Sequence, residues 1–171
     1  MSRRFSPFAI AIAVVLLDRV TKLLIKANIS LWDPPHVIIP GFFNIVHTEN
    51  PGIAFGLLAD QSSPWHNILL IGFSIVVLVA ISFVLLKPSD SSHTRLLRAG
   101  LAIVLGGAFG NLYDRIVNST VTDFIELHAG QAYYFPDFNV ADTAITAGAC
   151  LLLLDMWHAR ERKNPTAEVA Q

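Results

Sequence analysis

The chain has 171 residues, of which 53% are hydrophobic and 15% are charged, and its formal net charge is −1. An average soluble domain carries about 25% charged residues, so this composition and the mean hydropathy of +0.54 indicate a membrane protein. The near-neutral charge, with no basic stripe, argues against a nucleic-acid partner. The single cysteine, Cys150, excludes an internal disulfide and a thiolate metal cluster.

Four predominantly apolar windows are long enough to cross a bilayer core, which takes about 20 residues per helix. In chain order they span residues 5–25, 67–86, 97–117 and 139–158. The first window resembles a signal peptide, but charged residues follow its apolar run in place of a small-residue cleavage site. We therefore expect a retained helix. Residues 1–163 are expected to form a single domain, with a disordered cytoplasmic tail at 164–171.

The two longer connections are expected to contain short strands. Residues 36–48 and 119–127 are rich in β-branched and aromatic side chains and are bounded by turn residues. The predicted fold class is therefore a mainly α membrane protein with four transmembrane helices and a small extramembrane β-sheet on the periplasmic, outer side.

The distribution of basic residues predicts the orientation, because Lys and Arg accumulate on the cytoplasmic side of membrane proteins. Eight of the twelve lie in the terminal segments and in the connection between the second and third helices: Arg3, Arg4, Lys87, Arg95, Arg98, Arg160, Arg162 and Lys163. Both termini are therefore expected in the cytoplasm, and the two loops with strands on the outer side.

Polar side chains within the predicted helices gather towards the outer ends. Such groups are costly in a membrane and usually mark a function. Helical spacing places the members of three pairs on one face each, namely Asp18 with Lys22, Asn111 with Arg115, and Asn139 with Asp142. In the third helix, a small-residue spacing at Gly106 and Gly110 predicts close approach of a neighbouring backbone.

Each polar group also has a structural explanation. Asp18 and Lys22 could form an ion pair that only braces the first helix. Arg115 could extend to the outer headgroups, and Asn139 could cap the fourth helix. Asp142 lies one turn inside that helix, where the helix dipole would stabilise an anion.

Among the possible chemistries, paired carboxylates fit best. Cys150 lies in an apolar run without a nearby histidine, no G-x-S-x-G motif occurs, and the scattered histidines form no H-E-x-x-H motif. Two aspartates that share one proton can hydrolyse a peptide bond without a metal, one as base and one as acid, because close carboxylates cannot both ionise. The candidates are Asp114, Asp123, Asp137 and Asp142, and spacing alone does not choose between Asp123 and Asp114.

Five sequence elements resemble the bacterial lipoprotein signal peptidases, also called signal peptidase II. They are D-R-V-T-K at 18–22, N-P-G-I-A-F-G at 50–56, G-N-L-Y-D-R at 110–115, V-T-D-F at 121–124 and F-N-V-A-D at 138–142. The likeness covers nearly the whole chain, with the elements in order on the same topology. The chain departs from the family pattern at Arg19, where glutamine is common, and at Pro51 and Ile53, where threonine and alanine are frequent.

The resemblance implies an aspartic endopeptidase of the bacterial inner membrane, with its active site near the periplasmic face and no cofactor or metal. Its substrates would be diacylglyceryl-modified prolipoproteins within the membrane lipid, cut before the lipidated cysteine; the oligomeric state stays open. The resemblance also implies roles for ten residues. Asp123 and Asp142 would be catalytic, Asn50, Gly52, Asn111, Arg115 and Asn139 would bind substrate or orient the pair, and Asp18, Lys22 and Asp114 would support the structure.

Two other functions stay open from the residues alone. A small proton-coupled carrier could use Asp18, Lys22, Asp114 and Arg115 as a relay, but it predicts polar residues continuing to the inner face, and the inner halves of the helices are apolar. A structural assembly factor would tolerate replacement of both aspartates of the pair.

Overall fold

The computed structural model describes residues 6–52, 64–87 and 94–163. In chain order the elements are α1 (Pro7–Asn28), β1 (His36–Ile39), β2 (Phe43–Asn50), α2 (Pro64–Leu86), α3 (Arg95–Asn118), β3 (Val121–Ala129), β4 (Tyr133–Tyr134) and α4 (Val140–Lys163). The mainly helical fold with a small sheet is confirmed. The expected tail at 164–171, Arg3 and Arg4, and the second half of the N-P-G-I-A-F-G element lie outside the described residues.

Three helices are long and apolar enough to cross a membrane, namely Trp65–Leu86, Arg95–Asn118 and Val140–Arg160. The first helix has a comparable length of 22 residues. It carries three ionisable side chains in its second half, Asp18, Arg19 and Lys22, and is not among the candidate spans found in the described part of the chain. The fourth crossing therefore stays a prediction.

Helix α3 is the central helix, against which α1, α2 and α4 all pack. Glycine makes this packing possible, because an added Cβ at Gly106 would lie only 2.7 Å from the carbonyl oxygen of Ala11 on α1. An added Cβ at Gly110 would lie 2.5 Å from a carboxylate oxygen of Asp18 on the same helix. The close approach predicted from the Gly106–Gly110 spacing is confirmed.

The four strands form one antiparallel sheet in the order β1-β2-β3-β4. Strands β2 and β3 pair with Ile45 opposite Ile125 and Thr48 opposite Asp123, and a bulge separates these two pairs. Just before α4, Phe138 exchanges backbone hydrogen bonds with Ile125 of β3. Because of this bridge, the start of α4 lies beside the strand that carries Asp123.

Candidate active site

Polar groups occupy the most buried positions of the molecule. The largest side chains with almost no exposure are Lys22, Asn139, Thr122, Asp18, Asp114 and Asp123. By contrast, apolar side chains on the helix surfaces are widely exposed, with Phe73 at 70% and Val76 at 67%. Soluble proteins bury apolar side chains and expose polar ones. The opposite distribution is expected when lipid surrounds the helices, and it concentrates hydrogen-bonding groups at one interior site.

Asp142 is held at the first turn of α4 by Asn139. The Asn139 side-chain oxygen accepts a hydrogen bond from the Asp142 N–H at 3.0 Å. In return, the Asn139 N–H donates to Asp142 Oδ2 at 3.2 Å. This reciprocal pair is a capping arrangement, and it places the carboxylate at a helix end whose dipole favours an anion. The capping interpretation of Asn139 is confirmed.

Asp123 reaches the same asparagine from β3. Asn139 Nδ2 donates to Asp123 Oδ1 at 2.6 Å, and Asn50 Nδ2 donates to Asp123 Oδ2 at 3.0 Å. Asn50 is itself oriented by the Gly52 N–H, which donates to its side-chain oxygen at 2.8 Å. Gly52 has a φ of +90°, a backbone conformation that residues other than glycine rarely adopt. Asn139 thus hydrogen-bonds the carboxyl groups of both aspartates.

Asn111 contacts Asp142 from α3. Its Nδ2 donates to Asp142 Oδ1 at 2.7 Å. Its side-chain oxygen accepts from Lys22 Nζ at 3.2 Å and from Asn139 Nδ2 at 3.3 Å. Because Lys22 can only donate, this contact fixes which end of the Asn111 amide faces the carboxylate.

Lys22 joins two further carboxylates and is fully buried. Its ammonium lies 3.0 Å from Asp18 and 2.8 Å from Asp114. Arg19 also pairs with Asp114 and lies over the ring of Tyr113 at 4.4 Å. Asp114 is therefore neutralised by two cations, whereas Asp123 shares Asn139 with Asp142. The geometry favours Asp123 over Asp114 as the neighbour of Asp142.

Asp18 also links α1 to the start of α4. Its Oδ1 accepts a hydrogen bond from the Ala141 N–H at 3.1 Å. Ala141 directly precedes Asp142, so the ion pair of Asp18 and Lys22 fixes the backbone next to this carboxylate. The predicted ion pair is present, and it braces the backbone that carries Asp142.

Arg115 lies at the edge of the cluster, near the end of α3. Its charge interacts with those of Asp142 and Asp123, while its Nε is buried without a hydrogen-bond partner among the described residues. The backbone carbonyl of Arg115 accepts from Asn67 Nδ2 on α2 at 3.3 Å. Arg115 is therefore coupled electrostatically to both carboxyl groups, and one of its donors stays unpaired within the described residues.

The protonation of Asp123 is set mainly by burial. Burial raises the pKa of Asp123 to about 7, and the nearby charge of Asp142 raises it further, while the hydrogen bonds from Asn50 and Asn139 oppose the shift. Near neutral pH, Asp123 is therefore partly protonated. Such a carboxyl group can act as a proton donor at physiological pH.

Two contacts near the site were not anticipated from the sequence. The hydroxyl of Thr48 donates to Asp137 at 3.1 Å, so Asp137 lies beside the strand pair rather than in the shared cluster. Glu49 accepts from Thr120 at 2.6 Å and pairs with Lys26 at 3.1 Å, which ties the end of α1 to the sheet. The sequence carries little indication of these two contacts, because the paired residues lie far apart in the chain.

No three potential metal-binding side chains come together within residues 6–52, 64–87 and 94–163. The two carboxyl groups of the cluster are instead surrounded by the neutral amides of Asn50, Asn111 and Asn139. The cluster therefore brings two carboxyl groups, Asp123 and Asp142, to the same asparagine without an ion pair to either one among the described residues.

Comparison with known proteins gives a consistent result. The model of the family described as signal peptidase (SPase) II matches residues 10–158. The chain is 44% identical over 156 residues to a lipoprotein signal peptidase of Solibacter usitatus, a match that covers 90% of this chain and 91% of that protein. It is 45% identical over 152 residues to a lipoprotein signal peptidase of Pseudomonas paraeruginosa, covering 89% and 88%.

A solved structure has the same fold. It is described as a bacterial membrane enzyme obtained by the in meso method, and it matches with a TM-score of 0.75 and 28% identity over 96% of this chain and 92% of that one. The family match runs from α1 into α4 and includes every residue of the hydrogen-bonded cluster. The resemblance seen in the five sequence elements is confirmed, and the chain belongs to the signal peptidase II family of lipoprotein signal peptidases.

Proposed function

We propose that the chain is an aspartic endopeptidase that removes the signal peptide from diacylglyceryl-modified prolipoproteins by cutting before the lipidated cysteine. Asp123 and Asp142 form the catalytic pair. The observation that carries this proposal is the hydrogen bonding of both carboxyl groups to one residue, Asn139, which joins β3 to α4. Neutral amides hold both groups, and within residues 6–52, 64–87 and 94–163 no cation forms an ion pair with either one.

The reaction needs only a water molecule between the two carboxyl groups. Asp142, at the positive end of α4, takes a proton from the water as its oxygen attacks the scissile carbonyl carbon. Asp123, whose pKa of about 7 keeps it partly protonated, gives its proton to the carbonyl oxygen.

Collapse of the tetrahedral intermediate restores both groups. Asp142 transfers the proton it took from water to the leaving nitrogen as the C–N bond breaks. Asp123 recovers a proton from a hydroxyl of the intermediate, which becomes the new carboxylic acid of the signal peptide. The pair returns to its starting state with one shared proton.

Supporting residues act through these two groups. Asn50, oriented by Gly52, holds Asp123, Asn111 holds Asp142, and the charge of Arg115 acts on both carboxyl groups. The buried cations and carboxylates behind them, Asp18, Lys22 and Asp114, keep the helix ends together.

The position of the cluster suits a substrate anchored in lipid. The cluster lies along the second halves of α1 and α3 and at the start of α4, and β3 of the sheet carries Asp123 into it. With both termini in the cytoplasm, this is the outer side of a bacterial inner membrane. A diacylglyceryl group can then stay in the bilayer while the peptide bond beside it reaches water at the membrane surface.

Cleavage of a matched substrate pair tests this function. The purified protein would be incubated with a prolipoprotein that carries the diacylglyceryl group and with the same prolipoprotein unmodified at its cysteine. We expect mass spectrometry to find the released signal peptide, and a product that starts at the lipidated cysteine, only with the modified substrate. Equal cleavage of both forms, or of neither, would contradict the assigned substrate.

A further inference from the structure

An apolar groove runs between α1 and α2 over the surface of α3, away from the carboxylate cluster. Its volume is about 670 Å³, which lies within the range of small-molecule sites. Its lining is apolar except for the hydroxyl of Ser82, and it includes Ile12 and Leu16 of α1, Val79 and Phe83 of α2, and Phe109 of α3. Ile12, Leu16, Val79 and Phe83 are each more than half exposed, so the groove opens sideways to the surroundings.

The groove has the length of one membrane leaflet. On α1 it runs from Phe8 to Leu16 and on α2 from Leu78 to Leu86, and eight residues of α-helix rise about 12 Å. A hydrocarbon core is about 30 Å thick, so one leaflet is about 15 Å deep. Phe8 and Leu86 lie at the helix ends that the distribution of Lys and Arg assigns to the cytoplasm, so the groove lies in the inner leaflet.

Positive charge lies at the inner end of the groove. The Lys87 ammonium is 4.8 Å from the ring centre of Phe83, which lines the groove. The Arg98 guanidinium donates to the carbonyl oxygens of Leu85 at 2.9 Å and Lys87 at 3.2 Å, which holds it at the same end of α2. An apolar groove with cations at its headgroup end matches the two halves of an anionic phospholipid.

We propose that this groove binds one acyl chain of an anionic phospholipid of the inner leaflet, with the headgroup phosphate beside Lys87. A signal-peptide helix is the competing occupant, but signal peptides begin with a positively charged segment. That segment would lie against Lys87 and Arg98 and be repelled. The inference depends on the orientation of the chain and not on the proposed peptidase mechanism.

Native mass spectrometry of the purified, delipidated protein tests the proposal with phosphatidylglycerol and phosphatidylcholine of identical acyl chains. We expect the protein to bind one phosphatidylglycerol about fivefold more tightly than phosphatidylcholine, since a lysine near a membrane surface contributes roughly this factor with anionic lipid. Lys87→Gln should lower the preference, since Arg98 stays at the same end of the groove, and should leave binding of the acyl chain.

Two matched variants of α2 separate the groove from the rest of the surface. Val79→Trp places a large ring in the groove and should lower the affinity for both lipids at least tenfold. Val76→Trp is the control, because Val76 is exposed to a similar degree, 67% against 64%, and does not line the groove. Val76→Trp should bind both lipids as the unchanged protein does.

Two results would overturn the proposal. The first is equal affinity of the unchanged protein for the two lipids, and the second is unchanged lipid binding by Val79→Trp. A rise in the KM for prolipoprotein that accompanies the second result would assign the groove to the signal-peptide helix. The lipid measurement needs no catalysis, so it stays informative even if the peptidase proposal fails.

Discussion

Amides and ammonium groups divide the buried carboxylates into two kinds. Asn50, Asn111 and Asn139 surround Asp123 and Asp142, whereas Lys22 contacts Asp18 and Asp114. A cation in direct contact with a carboxylate favours its ionised form, which cannot donate a proton. An amide donor orients the carboxylate with a smaller effect on its charge. Neutral partners therefore suit the proposed role of Asp123 and Asp142 in exchanging protons, and charged partners suit the proposed structural role of Asp18 and Asp114.

The pH dependence of cleavage follows from Asp123. Protonated Asp123 is the proposed acid and its pKa is about 7, so kcat/KM should fall as the pH rises above about 7. The Asn50 hydrogen bond favours the ionised form of Asp123 and lowers its pKa. Asn50→Ala should therefore raise this pKa and move the alkaline limb of the pH profile to higher pH.

A second asparagine serves as the control for this profile. Asn28 lies at the exposed end of α1, where its side chain donates to the Leu24 carbonyl. Asn28→Ala should leave the alkaline limb in place. If Asn50→Ala lowers the rate equally at every pH, the hydrogen bond from Asn50 serves substrate binding or folding and does not set the pKa of Asp123.

Local spacing predicted only part of the cluster. The pairing of Asp18 with Lys22 follows from positions four apart in α1, and that of Asn139 with Asp142 from a cap three positions before a residue of the first turn of α4. The choice between Asp123 and Asp114 could not be made from spacing, because it depends on the pairing of β2 with β3 and on the bridge from Ile125 to Phe138. The pairing of Arg19 with Asp114 leaves no local signal in the sequence, since the two residues lie 95 positions apart.

At the scale of elements, the glycines of α3 set the distance between helices. An added Cβ at Gly107 would collide with the Ala141 carbonyl oxygen, which belongs to the first turn of α4. Backbone cannot move aside as a flexible side chain can, so Gly107→Ala should lower the free energy of unfolding by about 1–3 kcal/mol. The displaced α4 carries Asp142, so cleavage should fall as well. Thermal unfolding in detergent and the cleavage rate would measure both effects.

Gly72 of α2 provides the comparison for this substitution. An added Cβ there has no neighbour within 4 Å, and alanine is a better helix former than glycine. Gly72→Ala should therefore leave the unfolding temperature unchanged or raise it slightly. Equal destabilisation by both substitutions would show that the contact of α3 with α4 is not the cause.

The long elements were predictable and the short ones less so. Hydropathy placed the helices within a few residues of their ends, although α4 continues to Lys163, beyond the expected end at 158. Strands β1, β2 and β3 were expected from their β-branched and aromatic residues. Strand β4 has only two residues, Tyr133 and Tyr134, and forms through its pairing with β3. Two residues are too few to show the alternating pattern by which a strand is recognised in a sequence.

At the scale of the whole molecule, polar and apolar parts separate along the helix axes. The hydrogen-bonded cluster lies along the second halves of α1 and α3, and the groove lined by Phe8, Leu86 and their neighbours extends from there to the opposite ends of the helices. A carrier would need polar groups along the whole path. This separation is suited to a site that meets a membrane-anchored substrate from one side only.

Thiol labelling tests the orientation and the crossing by α1 together. In a Cys150→Ala background, which removes the native thiol, Ser6→Cys and Asp33→Cys place one cysteine on each side of α1. In spheroplasts, a membrane-impermeant maleimide should label the Asp33→Cys protein and spare the Ser6→Cys protein. After lysis, both should react. Labelling of both in intact spheroplasts would mean that α1 does not cross the membrane.

The catalytic pair is the central claim, and replacement of each aspartate tests it most directly. Asp123→Asn, Asp142→Asn and the control Asp155→Asn would be purified and compared in cleavage of the lipidated prolipoprotein, with thermal unfolding as the measure of folding. Asp155 lies on α4 at the end away from the cluster, where Thr94 donates to it. We predict that either change in the pair lowers kcat at least about 10³-fold while the protein stays folded, and that Asp155→Asn keeps normal activity. Turnover within tenfold of the unchanged protein by a folded Asp123→Asn or Asp142→Asn variant would contradict the account.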